Sequence, residues 1–227
     1  HRGANREAPE NTIPAFRRAI ELGADYVEID VRQTADGHLV LMHDATVDRM
    51  TGGSGAVTAL NLVDLLRLRI RGGGTIPTLD EVFSQLQGRV GFYFDWKQAE
   101  PAKVAEALRR HGVVADTVFY GSPDRLAQLQ QLELRVRLLP EAVSAENIDR
   151  LVERLRVTYL AFDRRDFTPE NVRRAHLYGA QVFVDRLGPE DTTQHYRQAI
   201  AWGADGIQTD HPDRLVTMTR RSRINHF

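Results

Sequence analysis

The chain has 227 residues, 42% of them hydrophobic and 27% charged, with 30 Lys and Arg against 31 Asp and Glu. That length exceeds one small domain, falls short of two and suits a single α/β barrel, while a net charge of −1 argues against a nucleic-acid partner. No cysteine occurs, so disulfides and thiol catalysis are excluded, and no apolar run reaches the ~18 residues of a membrane span, so stable membrane insertion is not expected.

The chain opens HRGANREAPENT, without a methionine. PENTIPAFRRAIELG (9–23) reads as a helix: Asn11 or Thr12 can cap it, Pro14 suits its first turn and Gly23 ends it. YVEID (26–30) reads as a strand. The Asp-Gly pair in ADGHLVLMHD predicts a hairpin with Asp36 and Gly37 as a two-residue turn, which places His43 opposite Asp30. TGGSGAV (51–57) and RGGG (71–74) are glycine-rich but lack the Lys-Ser/Thr of a nucleotide loop, and read as loops over a barrel mouth. VGFYFD (90–95) is the next strand and PAKVAEALRRHG (101–112) its helix. Strand-like cores follow at 117–120, 135–139, 158–162, 181–184 and 205–209, separated by helical stretches near 123–132, 146–155, 169–178 and 191–202. RRSRINHF at the end reads as a frayed basic tail.

Alternating strands and helices predict an α/β fold, a (β/α)8 TIM barrel built as one domain over residues 1–227. Seven barrel strands are countable, so the first is expected to precede His1 and to be missing from this N-terminus. His1 would then stand at the C-terminal tip of that strand, on the face that carries barrel active sites. A compartment does not follow; cytoplasmic and secreted locations both fit a soluble barrel.

Glu28 and Asp30 are two apart on one strand and so share a face, which in a parallel barrel is the interior. Carboxylates there are costly unless a cation neutralises them. Asp95 and Lys97 repeat the spacing on the next barrel strand. Glu28, Asp30 and Asp95 together form a hard oxygen donor set for Mg²⁺ or Ca²⁺; the alternative is pairing with arginines at a rim. His1 and His43 suit general acid and base work on opposite sides of a reacting phosphorus, and Arg2 and Lys97 suit phosphate oxygens. Lys97 and Lys103 are the two lysines in an arginine-dominated chain. The remaining histidines, His38, His111, His176, His195, His211 and His226, read as surface or structural.

The pattern HRG…PENT…GADYVEIDVRQTADGHLVLMHD…IPTLDEV…FDWK…GADGIQTDHP resembles the glycerophosphodiester phosphodiesterases nearly end to end, most densely over residues 1–97 and 203–212. The resemblance implies a barrel of the phospholipase-C-like type, a divalent cation, and hydrolysis of glycerophosphodiesters to glycerol 3-phosphate and an alcohol. It implies His1 and His43 as the acid/base pair, Arg2 and Lys97 as phosphate ligands, and Glu28, Asp30 and Asp95 as metal ligands. Glu10 of PENT lies beside the site in the family and here can also pair with Arg2 to fix the loop. Asp210 of TDHP is expected to be structural. Asp95 stands where the family more often has glutamate, and Val182–Asp185 replaces its W-T-V-N stretch, which leaves headgroup preference open. Attack by water and attack by the glycerol 2-hydroxyl through a cyclic phosphate both fit these groups. The rival readings are a lysophospholipase D or sphingomyelinase D-like enzyme on lipid substrates, and a catalytically silent phosphodiester-binding barrel.

Overall fold

The computed structural model describes residues 1–224. Two compact units emerge, His1–Val118 with Gln128–Val136, and Phe119–Ala127 with Arg137 onward.

In the first unit, α1 (Ile13–Leu22) begins where the sequence predicts. Thr12 accepts from the Ala15 N–H, Pro14 sits in the first turn, and Gly23, at φ 94°, closes the helix against the Ala19 and Ile20 carbonyls. The helix buries Ala15, Phe16 and Ala19. The preceding loop packs onto it through Gly3, whose φ is 78° and where any Cβ would come within 2.7 Å of the Ala15 backbone. A side chain there is excluded by both conformation and space. β1 (Tyr26–Gln33) pairs antiparallel with β2 (Leu39–Leu41) and parallel with β3 (Gly91–Gln98).

The hairpin register corrects the sequence expectation. Val31 pairs with Leu41 and Gln33 with Leu39, a shift of one residue from the predicted pairing. A two-residue type I′ turn needs positive φ at both central positions, but of Asp36 and Gly37 only Gly37 has it, at 85°. The turn is a three-residue loop, Ala35 to Gly37, closed by Thr34 N–H to the His38 carbonyl at 2.9 Å. Met42, not His43, therefore faces Asp30: its N–H donates to the Asp30 carbonyl at 3.0 Å.

Between β2 and β3 the chain builds α2 (Leu62–Arg67) and α3 (Leu79–Leu86), the latter started by a Thr78/Glu81 capping box. Val40, Met42, Val47, Val57, Leu65, Ile70 and Ile76 form an apolar cluster that anchors the glycine-rich loops. α4 (Pro101–His111) follows β3, ending at Gly112 in the left-handed conformation. β4 (Thr117–Tyr120) and α5 (Pro123–Leu132) contribute residues to both units.

The second unit runs β5 (Arg137–Leu139), α6 (Ala145–Leu155), β6 (Tyr159–Phe162), α7 (Pro169–Leu177), β7 (Gln181–Asp185), α8 (Thr193–Trp202), β8 (Gly206–Gln208) and α9 (Pro212–Ile224). β6, β7 and β8 are parallel neighbours. Val182 and Val184 alternate into the core along β7, as a period-two strand requires, whereas Leu160, Ala161 and Phe162 of β6 are all buried. Asp191 accepts from the Tyr196 hydroxyl, from Thr209 Oγ1 at 2.5 Å and from the Asp210 N–H at 2.8 Å, tying the chain after β8 to the start of α8. Of the tail expected to fray, residues 220–224 fall within the range of α9, and residues 225–227 lie outside the described residues.

Candidate active site

Every candidate residue, from His1 to Lys97, lies in the first unit. β1 and β3 set Asp30 beside Asp95 and Glu28 beside Tyr93. After Val31 pairs with Trp96, Arg32 pairs with Gln98, leaving Lys97 as the extra residue of a bulge, a device that re-aims a side chain. Lys97 Nζ lies 2.7 Å from Asp95 Oδ2 and 3.2 Å from Asp30 Oδ1. One oxygen each from Glu28, Asp30 and Asp95 lies within 4.8 Å of the others.

The cluster is electrostatically strained. Glu28 is 4% exposed and Asp30 1%. Burial, followed by the Asp30 and Asp95 charges, pushes the Glu28 carboxyl well above the usual range. Burial also raises Asp95, although the Lys97 ammonium pulls the other way. Burial works against the charged form of Lys97 too, but Asp95 and Asp30 outweigh it and hold its pKa up. Asp30 Oδ1 is buried and takes part in the Lys97 ion pair without a well-formed hydrogen bond. Crowded carboxylates of this kind, one with an oxygen that no hydrogen bond takes up, fit a hard divalent cation.

The HRG and PENT segments close around this cluster. The Arg2 N–H donates to Glu28 Oε2 at 2.6 Å, Arg2 Nη1 to Glu10 Oε1 at 3.0 Å, and Arg2 Nε stands 3.3 Å from Asp30 Oδ2. The expected Arg2–Glu10 pair is therefore present. Asn11, expected only as a possible helix cap, instead clamps Asp30: its Nδ2 donates to Asp30 Oδ2 at 2.6 Å and its Oδ1 accepts from the Asp30 N–H at 3.1 Å. Asn11 is buried at a φ of 55°, a left-handed conformation that Asn tolerates better than most residues. His1 is half-buried, and its carbonyl accepts from Asn5 Nδ2 at 3.0 Å.

His43 comes to the site by another route than the ladder. Its carbonyl accepts from Arg32 Nε at 3.1 Å and Nη2 at 2.7 Å. Its Nδ1 lies 2.7 Å from Asp44 Oδ1. Hydrogen bonds from Arg49, joined by the one from His43, hold the Asp44 carboxyl down to about 2. An ionised carboxylate can only accept, so Nδ1 carries the proton and Nε2 is left for exchange. His43 also stands near enough to Asp95 to help lower its carboxyl. Asp44 had a signal in the sequence, its adjacency to His43. Arg49 had none, being one arginine among many.

Residues 1–214 match the model of the glycerophosphoryl diester phosphodiesterase family. The chain belongs to this family. A glycerophosphodiester phosphodiesterase of Caldanaerobacter subterraneus is 30% identical over 97% of this chain and 96% of its own. One from Bacillus subtilis is 26% identical over 94% of this chain and 83% of its own. The crystal structure of the glycerophosphodiester phosphodiesterase from Agrobacterium tumefaciens superposes with a TM-score of 0.86 at 31% identity, covering 96% of this chain and 97% of that one. A phosphodiesterase from Oleispira antarctica, solved with its product sn-glycerol-3-phosphate, has the same fold, with a TM-score of 0.87 at 24% identity over 97% and 95% of the two chains. The fold class is thus the expected α/β, TIM-barrel-like one. Membership of the glycerophosphoryl diester phosphodiesterase family makes the chain a phosphoric diester hydrolase. Among the described residues no helix is long and apolar enough to cross a membrane.

Proposed function

We propose that this chain hydrolyses glycerophosphodiesters to glycerol 3-phosphate and an alcohol, with His1 and His43 exchanging protons and a divalent cation, Mg²⁺ or Ca²⁺, held by Glu28, Asp30 and Asp95. The observation that supports this most is the gathering of those three carboxylates with Lys97 and Arg2 around them. When bound, the cation supplies Lewis-acid polarisation of a phosphoryl oxygen. Arg2 and Lys97 bind the other phosphate oxygens and offset charge developing at phosphorus. One imidazole takes the proton of the attacking hydroxyl while the other protonates the leaving alkoxide, so one P–O bond forms, one breaks, and one water is consumed overall. Asp44 fixes the His43 ring so that Nε2 is the exchanging nitrogen. The product assigned here is the one the Oleispira antarctica structure was solved with.

The test is release of glycerol 3-phosphate from glycerophosphocholine and glycerophosphoethanolamine in EDTA, Mg²⁺ or Ca²⁺. Release is expected only with cation, and His1→Ala and His43→Ala should each lower the rate roughly 10²–10⁴-fold. Unchanged turnover in both histidine variants would sink the acid/base roles. No release with either cation, from a folded protein, would sink the substrate and point to lipid diesters or to binding alone.

A further inference from the structure

We propose that Arg49 is a positioning residue that joins the two arms of the site, fixing Arg2 through Glu10 and His43 through Asp44. The inference rests on the roles given to Arg2 and His43 above. Arg49 itself touches neither.

The geometry is a double fork. Arg49 Nε donates to Asp44 Oδ2 at 2.5 Å and Nη2 to Asp44 Oδ1 at 3.1 Å. On the other side Nη2 donates to Glu10 Oε1 at 2.6 Å and Nη1 to Glu10 Oε2 at 3.1 Å. The oxygens shared by Nη2 are the same two that hold the site residues: Glu10 Oε1 also accepts from Arg2 Nη1 at 3.0 Å, and Asp44 Oδ1 meets His43 Nδ1 at 2.7 Å. One guanidinium thus stands between the carboxylate that orients the phosphate-binding arginine and the carboxylate that orients the imidazole. A planar fork can do this and an ammonium cannot, because only the fork meets two carboxylates bidentately.

Two further observations separate this from an ordinary surface ion pair. The Arg49 side chain is 47% exposed, a setting in which isolated pairs contribute little, yet here four hydrogen bonds converge and both partner carboxylates are only partly exposed, at 17% and 27%. The backbone beneath it is also fixed. Val47 and Met50 pack in or against the apolar cluster, the Met50 carbonyl accepts from the Arg71 N–H at 2.8 Å, and Thr51 is fully buried with its hydroxyl on the Val47 carbonyl. The guanidinium is therefore presented from a rigid loop. Without it, Glu10 and Asp44 lose their shared counter-charge, and both Arg2 and His43 gain freedom at once.

The experiment compares steady-state kinetics on glycerophosphocholine for the wild type, Arg49→Met, Arg49→Lys and a surface control, Arg110→Met, together with ¹⁵N spectra of the His43 imidazole. Arg49→Met should lower kcat/KM about 10²-fold, the scale of a small misplacement of reacting groups, divided between a higher KM from Arg2 and a lower kcat from His43. Arg49→Lys should recover only part, Arg110→Met should match the wild type, and the His43 ring should lose its single Nδ1–H tautomer in Arg49→Met. Kinetic constants within twofold of the wild type, or a loss confined to the fraction of folded protein, would overturn the proposal. If the wild type itself shows no diesterase activity, the hydrolase reading fails separately. The ¹⁵N spectra then decide on Arg49, because an unchanged His43 tautomer in Arg49→Met refutes the positioning role and an altered one supports it.

Discussion

Asp44 serves two partners, accepting from Arg49 and from His43 Nδ1, and its carboxyl is held at about 2 chiefly by Arg49. A depressed folded-state value means that the group favours folding above its unfolded pKa, near 3.9, and that this contribution fades as pH falls towards 2. Asp44→Asn should therefore cost about 1 kcal/mol or less at pH 6, in keeping with its partial exposure, and that difference should vanish in urea titrations near pH 2. A cost that persists unchanged to pH 2 would mean that packing, not charge, sets it. At this scale the sequence was readable where the partner is a neighbour. His43 and Asp44 are adjacent, and Glu28 with Asp30 announces itself by spacing. Asn11 was visible in PENT but assignable to the wrong task, because a cap and a buried clamp call for the same amide and differ only in what comes near. Arg49 was not readable, since it meets Glu10 across 39 residues.

Among the elements, the β1–β2 hairpin shows how a correct element can carry a wrong register. The Asp-Gly pair signals a turn but not its length. Asp36 accepts a hydrogen bond from Thr34 Oγ1 and also binds the Leu62 N–H at the start of α2, which holds it at negative φ and leaves Gly37 alone in the left-handed region. The three-residue turn follows, and with it the one-residue shift. Gly37→Ala should cost roughly 1–2 kcal/mol, the price of left-handed backbone for a residue with a Cβ, since the only close contact of the new methyl would be with the flexible end of Lys103, Gln33 Nε2 lying at an ordinary 3.8 Å. Equilibrium urea unfolding measures it, and a change below a few tenths of a kcal/mol would show that the loop relaxes to another turn. α1 and α4 to α8 were legible from caps and periodicity, whereas α9 was not expected. α2 and α3 were passed over, although Thr78 followed three residues later by Glu81 is the sequence signature of a capping box and marks the start of α3.

For the whole molecule, the site's buried negative charge should be visible as stability. Glu28, raised by burial and by two neighbouring carboxylates, works against folding until a cation offsets it. Saturating Mg²⁺ or Ca²⁺ at about 100 times its Kd should add about 2.7 kcal/mol, a Tm gain of roughly 5–10 °C for a chain of this size. Glu28→Gln should raise Tm in EDTA and remove most of that gain. Equal gains in the variant and the wild type would place the cation elsewhere. The sequence by itself determined the strand order, the carboxylate spacing and the family, because these are written in short-range periodicity and in contiguous motifs. The tertiary structure alone decided the hairpin register, the clamp of Asn11 on Asp30 and the Glu10–Arg49–Asp44 bridge. Each of these is a contact between residues distant in the chain, set by competing turn geometry and by which charges the packed loops bring within hydrogen-bonding reach, and no local pattern encodes that.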